Sequence, residues 1–374
     1  MATYKEQNKQ NVPHLRFSEF HGEWEKCKLG DIAEFSTARI SSVKLDCKNY
    51  VSTENMLQDF QGVVEAKSVP NETNVISFTC GDILISNIRP YLKKVWKATF
   101  DGGCSSDVFV LQATDTVAKD YLHYAVANDK FINYVMSGAK GVKMPRGDKN
   151  QMRTYQLSLP SIQEQYKIAK LLTLLDERIA TQSKLIEKLE SLIKGIAQHC
   201  IRELINGWEY VRLGNICKIK TGKLDANAQV ENGQYPFFTC AERPFNIDCY
   251  AFDTEALLIS GNGANLGYIN YYKGKFNAYQ RTYVLDHFSV NIQYVKWALK
   301  VLLPQRIAIE KSSSNTPYIV LSTLADLKIP IPNNSKQNHI ADLMMSFERK
   351  LSTQLVLSDL YNKQKQYLLR QMFI

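Results

Sequence analysis

Trp24-Glu25-Lys26-Cys27-Lys28-Leu29-Gly30-Asp31-Ile32 returns 184 residues later as Trp208-Glu209-Tyr210-Val211-Arg212-Leu213-Gly214-Asn215-Ile216. From there the correspondence runs along the chain in order. Ile83-Leu84-Ile85-Ser86 matches Leu257-Leu258-Ile259-Ser260 at an offset of 174. Met144-Pro145 matches Thr316-Pro317, and Leu157-Ser158-Leu159-Pro160 matches Ile329-Pro330-Ile331-Pro332, both at 172. Gln165, Ile168 and Ala169 match Gln337, Ile340 and Ala341 at that same offset. One short string recurs by chance; a series in fixed order does not. The chain is an internal duplication, and the drift in offset puts small insertions and deletions in loops.

Each half divides again. A mixed segment rich in strand-like runs and turns comes first, as in Phe78 to Asn87 with its Gly81-Asp82 turn, Asp107 to Leu111, and Thr282 to Leu285. A strand ending in proline then leads into a long helix. Ile168, Leu172, Leu175, Ile179, Gln182, Ile186, Leu189, Ile193, Ile196 and Cys200 alternate in steps of four and three, a heptad seam interrupted only by Gln182. Adding 172 gives a poorer second seam, Ile340, Met344, Phe347, Leu351, Gln354, Ser358, Tyr361, Lys365, Leu368 and Met372, in which Gln354 falls where Gln182 does. A polar residue in such a seam either fixes register or sits tolerated at its edge. About 40 residues at about 1.5 Å each make a helix about 60 Å long. The expected fold is α+β: two mixed α/β domains, residues 1–160 and 207–332, joined by two long antiparallel coiled-coil helices, residues 161–206 and 333–374, with pseudo-twofold symmetry.

Composition narrows the class. The 374 residues are 45% hydrophobic and 22% charged, an ordinary globular balance. Apolar runs are short, such as Ala256 to Ser260, and Met1 to Gln10 is polar and charged, so neither a membrane span nor a secretory signal is expected and the protein reads as cytoplasmic. The eight cysteines form no C-x-x-C pair and lie near no histidine at ligand spacing, which argues against a metal site. A net charge of +9 favours a polyanionic partner only if it gathers on a working surface.

The common routes to catalysis fail. Thr221-Gly222-Lys223-Leu224 lacks the upstream glycine and the hydroxyl residue of a phosphate-binding loop. Gly261-Asn262-Gly263-Ala264-Asn265-Leu266-Gly267 has the wrong last spacing for a dinucleotide fingerprint and reads as a turn. No [DNS]-P-P-[FYW] motif occurs, and the histidines are scattered without a nucleophile-plus-base spacing. The chain is expected to be non-catalytic.

What remains is a set of basic, glycine-containing turns in both halves. The first half offers Arg89, Lys93 and Lys94, then Lys140, Lys143, Arg146 and Lys149. The second offers Lys223, Asn262, Asn265, Tyr279 and Arg281, then Ser314, Thr316 and Tyr318. Lysine and arginine bind phosphates, while arginine, asparagine, glutamine and serine can read base edges. Any one such residue is as well explained by a solvated loop; the set, repeated at matching places, points to DNA.

Pro13-His14-Leu15-Arg16-Phe17-Ser18-Glu19-Phe20, followed by Trp24-Glu25 and Leu29-Gly30-Asp31-Ile32, resembles the start of Type I restriction-modification specificity subunits. The proline-ended strand followed by Gln163-Glu164-Gln165-Tyr166-Lys167-Ile168 resembles the way that family closes each head. The resemblance covers essentially the whole chain. It implies two target-recognition domains that each read half of a split site in double-stranded DNA, and spacer helices that dock two methyltransferase subunits. S-adenosylmethionine, ATP and magnesium are implied in the methyltransferase and restriction/translocase subunits, with no cofactor on this chain. The second helix departs from the pattern in its poorer seam. A related system whose single partner both methylates and cleaves, an enzyme fused to recognition domains, and a coiled-coil protein scaffold are the alternatives.

Overall fold

The computed structural model describes residues 11–203, 208–310 and 318–374. They form two compact units, one of the described residues up to Gln182 together with Ser358–Ile374, the other Ser183–Leu357. The first unit contains β1 (Glu25–Lys28), α1 (Leu29–Ile32), β2 (Ala33–Phe35), β3 (Arg39–Ser41), β4 (Tyr50–Val51), β5 (Asn74–Phe78), β6 (Ile83–Ser86), β7 (Val95–Lys97), β8 (Gly102–Cys104), β9 (Val108–Ala113), α2 (Lys119–Val126), α3 (Asp129–Ser137), α4 (Lys149–Arg153) and β10 (Gln156–Leu159). Helix α5 (Ile162–Gln198) gives its residues up to Gln182 to this unit and the rest to the second. The second unit continues with β11 (Glu209–Arg212), α6 (Leu213–Ile216), β12 (Lys218–Thr221), β13 (Tyr235–Phe238), β14 (Phe245–Ile247), β15 (Phe252–Ser260), β16 (Ile269–Ala278), β17 (Thr282–Asp286), α7 (Ile292–Glu310), α8 (Leu321–Ala325) and β18 (Lys328–Ile331). Helix α9 (Asn334–Met372) closes the chain, its residues from Ser358 onward belonging to the first unit.

The duplication extends to strand register. The first unit has a sheet of order β2-β9-β6-β7, and the second contains the same order as β12-β17-β15-β16. β6 runs between two neighbours with all four residues buried, which is why Ile83-Leu84-Ile85 reads as unbroken hydrophobic sequence. In the second unit β15 and β16 make one long antiparallel ladder from Phe252↔Phe276 to Ile259↔Ile269. The first unit cuts that ladder in two, pairing Phe78↔Gly102 in one sheet and Ile83↔Lys97 in another. Adding 174 to these pairs gives Phe252↔Phe276 and Leu257↔Tyr271, both of which are paired in the second unit. The cut is made by side chains. Gly81 takes φ +92°, the Asp82 carboxylate accepts the Thr79 amide at 2.9 Å, and the Asp101 carboxylate accepts the Cys80 amide at 2.7 Å. Amides that a ladder would otherwise use are satisfied locally, and the strand turns instead.

Each helix is locked to its mixed domain by the same bonds. Gln165 accepts the Ala118 amide at 2.8 Å and donates to the Pro160 carbonyl at 2.9 Å. Gln337 accepts the Asn291 amide at 3.0 Å and donates to the Pro332 carbonyl at 2.8 Å. The Tyr121 hydroxyl donates to Ser158, and the Tyr294 hydroxyl to Pro330. The two-stranded ribbons β1-β10 and β11-β18 repeat as well.

Seam residues are buried in both units. Ile168, Leu172 and Leu175 share a core with Leu368 and Met372, with Ile179 and Tyr361 packed against it. There Asp176 pairs with Lys365 at 2.6 Å and Arg178 donates to the Tyr361 hydroxyl at 2.7 Å, so the segments run antiparallel. Leu189 and Ile193 share the other core with Ile340 and Met344, flanked by Ile196, Phe347 and Leu351. Gln182 is buried, while Ile186 and Gln354 are half-buried. Lys365, the most polar residue of the second seam, has its ammonium on Asp176 and 5.8 Å from the Tyr124 ring centre. The weaker seam is thus partly an ion-paired one.

Candidate nucleic-acid interface

Two loops carry the basic residues of the first unit, and backbone bonds fasten them together. The first, Asn87 to Lys94, leaves the end of β6. Arg89 and Lys93 take left-handed conformations, φ +50° and +54°, on either side of the tight turn Pro90–Leu92. Such conformations cost a side-chain-bearing residue energy and persist only where neighbours enforce them. Here the enforcement is visible: the Arg89 amide donates to Pro145 at 2.8 Å and the Gly147 amide to Asn87 at 3.0 Å. The second loop, Lys140 to Arg146, is closed by reciprocal backbone bonds of 3.0 and 2.9 Å between those two residues. Gly141 at φ +96° permits the reversal.

The side chains separate into two groups. Arg89 and Lys143 are exposed; Lys140 is 84% exposed with Asp148 at 3.5 Å, and Arg146 lies 3.3 Å from Asp107. These cations point outward with little to hold them. Lys93 pairs with Asp129 at 2.8 Å, and Lys94 donates to the Thr53 carbonyl at 2.6 Å. Burial lowers the Lys94 pKa, and the nearby Arg89 charge adds to the effect. The Lys149 ammonium stacks 4.7 Å from the Phe109 ring centre and 5.5 Å from that of Phe35, and burial followed by the charge of Arg153 lowers its pKa. These three are engaged with the protein itself.

The second unit gathers its candidates in the equivalent place. Asn262 bridges Tyr318 as Ile88 bridges Arg146, the partners shifted by 174 and 172 residues. The Gly261 amide donates to Arg281 at 2.9 Å, the Gln280 amide to Leu224 at 2.9 Å and the Ile319 amide to Gly261 at 2.8 Å. A Cβ on Gly222 would lie 1.8 Å from the Ala278 carbonyl oxygen, so only glycine lets these strands approach. Lys223 and Arg281 are exposed, Tyr318 is exposed, and Tyr279 is half-buried. Ser314 and Thr316 lie outside the described residues.

Nothing in the sequence singles out Cys240, whose thiol lies 3.0 Å from Asn262 Oδ1 and whose carbonyl accepts from Asn265 Nδ2 at 3.1 Å. One polar atom of each asparagine is thereby engaged within the protein. Nor did it mark Asp107, the carboxylate beside Arg146, or the exposure of Val142. Burial pushes up the pKa of other thiols, half-buried Cys27 to about 11 and buried Cys104 and Cys217 to about 12, so they are protonated and poorly nucleophilic at neutral pH. Among the described residues, no group of three His, Cys, Asp or Glu could hold a metal, and no helix is long and apolar enough to cross a membrane.

Comparison with known proteins places this architecture. The family model described as the Type I restriction modification DNA specificity domain matches residues 21–191 and again 205–356. The EcoDI specificity subunit of a Type I restriction enzyme from Escherichia coli is 44% identical over 135 residues, 36% of this chain and 30% of that protein. The MjaVIII specificity subunit from Methanocaldococcus jannaschii is 26% identical over 252 residues, 60% of this chain and 55% of that protein. The chain thus spans about a third to about half the length of these two relatives. A crystal structure of the S subunit of a Type I restriction-modification system from M. genitalium shares the fold, with TM-score 0.68 and 17% identity over 97% of this chain and 99% of that one. The two matched segments each hold one copy of the repeat, and the chain belongs to the family of the Type I restriction modification DNA specificity domain, which it carries twice.

Proposed function

We propose that this chain is the DNA-recognition subunit of a Type I restriction-modification complex and contributes no catalytic group of its own. The observation that carries the reading is the paired loops. Ile88↔Arg146 in the first unit and Asn262↔Tyr318 in the second are equivalent loop-to-loop bridges, and exposed cations stand in or next to the loops so bonded, Arg89, Lys140, Lys143 and Arg146 in one and Lys223 and Arg281 in the other. Phosphate contacts from such residues set position on a duplex, and arginine, amide and tyrosine groups beside them supply base-edge readout.

In this reading each unit reads one half of a bipartite double-stranded site. Helices α5 and α9 separate the halves, and their surfaces dock two methyltransferase subunits together with restriction/translocase subunits. Exposed apolar residues on the helices, among them Leu174, Leu185, Leu192, Val356 and Leu360, suit that docking. The methyltransferases then methylate adenine with S-adenosylmethionine as the methyl donor, and ATP and magnesium serve the translocase; the role of this chain is to hold the DNA where those partners act. Its place of work is the cytoplasm. Co-expression with the methyltransferase of the same operon tests the reading. A stable complex that shifts a duplex in a salt-sensitive, sequence-dependent way is expected. A chain that purifies without that partner and methylates DNA unaided overturns it.

A further inference from the structure

The loop closed by Lys140 and Arg146 ends in an apolar tip. Val142 is 101% exposed and Met144 is 48% exposed, while Pro145 between tip and base is buried. A lone surface hydrophobe needs no explanation. This one stands out for how it is held. Reciprocal backbone bonds close the loop, the Pro145 carbonyl is tied to the Arg89 amide, and Gly141 sits at φ +96°. A loop so restrained loses little freedom on contact. Around the tip stand Arg89, Lys140, Lys143 and Arg146, four cations opposed by Asp107 and Asp148. The surroundings therefore favour an anionic surface that also offers apolar contact. A nucleic-acid duplex has both, its phosphates and, in the major groove, the C5-methyl of thymine.

We propose that Val142 reads a thymine methyl group in the half-site bound by the first unit, a specificity contact resting on the functional reading above. The side chain suits this task better than insertion between base pairs. Side chains that wedge base steps apart are typically larger, whereas valine carries two methyls directly on Cβ with a stiff χ1. Its reach ends at a base edge. The flanking cations hold the loop against the backbone, and the valine supplies discrimination that no hydrogen bond provides. The second unit has no counterpart among the described residues, since 311–317 lie outside them. The inference therefore concerns one half-site.

The test uses the intact complex and its methylated site, with each thymine replaced singly by deoxyuridine, which removes only the methyl. Wild type should lose about fourfold in affinity at one position in one half-site, the effect of burying a single methyl group. Val142→Ala should bind the thymine duplex more weakly and be indifferent to uracil at that position, while uracil at other positions affects both proteins equally. Val142→Ile should retain the discrimination. Equal uracil effects in wild type and Val142→Ala at every position overturn the proposal, as does a half-site pair with no thymine on either strand. A complex that binds no DNA sequence-specifically overturns the functional reading as well, so the two failures are distinguishable.

Discussion

Gln165→Ala should loosen the start of α5 from the segments before α2 and after β10 within the first unit. The side chain is 1% exposed and makes two well-formed bonds, one to the Ala118 amide and one to the Pro160 carbonyl. Alanine leaves a buried N–H and a buried C=O without partners, at about 1–3 kcal/mol each, and opens a void as well. The expected loss is about 2–5 kcal/mol, a large share of a typical domain's stability. Because the chain forms two units, one unfolding midpoint would mix them. Native-state hydrogen exchange resolves them by residue. Amides of α2 and β9 should exchange about thirtyfold or more faster, those of β15 and β17 at the wild-type rate, since about 1.4 kcal/mol is a factor of ten. Gln337→Ala should give the mirror result, with Asn291 left unpaired. A loss below about 0.5 kcal/mol, within the range of ordinary surface substitutions, would refute the assignment of these glutamines as the anchors.

Three further outcomes follow from other parts of the molecule. Lys143→Ala combined with Arg146→Ala should weaken DNA binding by the complex and reduce the slope of log affinity against log salt by about two; unchanged slope and affinity would return both residues to an ordinary surface loop. Inserting one heptad between Gln182 and Leu189 keeps the seam in phase and adds about 10 Å, so residual methylation should keep the same half-site bases with up to about three more base pairs between them; methylome sequencing that finds the original spacing in an active variant refutes the ruler. His123 is held neutral, its pKa lowered from 6.5 to about 4 by burial and then by the charge of Lys365. The unfolded chain takes up that proton first as acid is added, so stability present above about pH 6.5 is lost progressively toward about pH 4. Unfolding of wild type and His123→Gln across that window should differ in slope, and identical slopes would place the acid sensitivity elsewhere.

The duplication and the seams were legible because each rests on patterns carried by residue type and spacing. Trp24 and Trp208 mark equivalent entries, and the heptad residues of α5 are buried or half-buried as the spacing required. The cut between β5 and β6 was not legible in the same way. Gly81-Asp82 signalled a turn, yet the matching residues Glu255 and Ala256 continue one strand, because the difference depends on where the Asp82 and Asp101 carboxylates find amides. Which basic residues of these segments stand free and which are engaged by the protein itself was not legible. Lys93 and Lys94 share a loop with Arg89, and Lys149 opens α4 just after Arg146, and only the fold brings Asp129, the Thr53 carbonyl and the ring of Phe109 to them. Lys365 in the second seam looked like a defect until the fold brought Asp176 beside it.

The proposed function requires two separable readers on one chain. Exchanging residues 206–332 for the equivalent domain of a relative, co-expressing the hybrid with the methyltransferase of the operon, and mapping every methylated base in the genome tests it most directly. The expected result is a bipartite methylated site in which one half and the spacing are unchanged and the other half takes the relative's sequence. A site altered in both halves would contradict it.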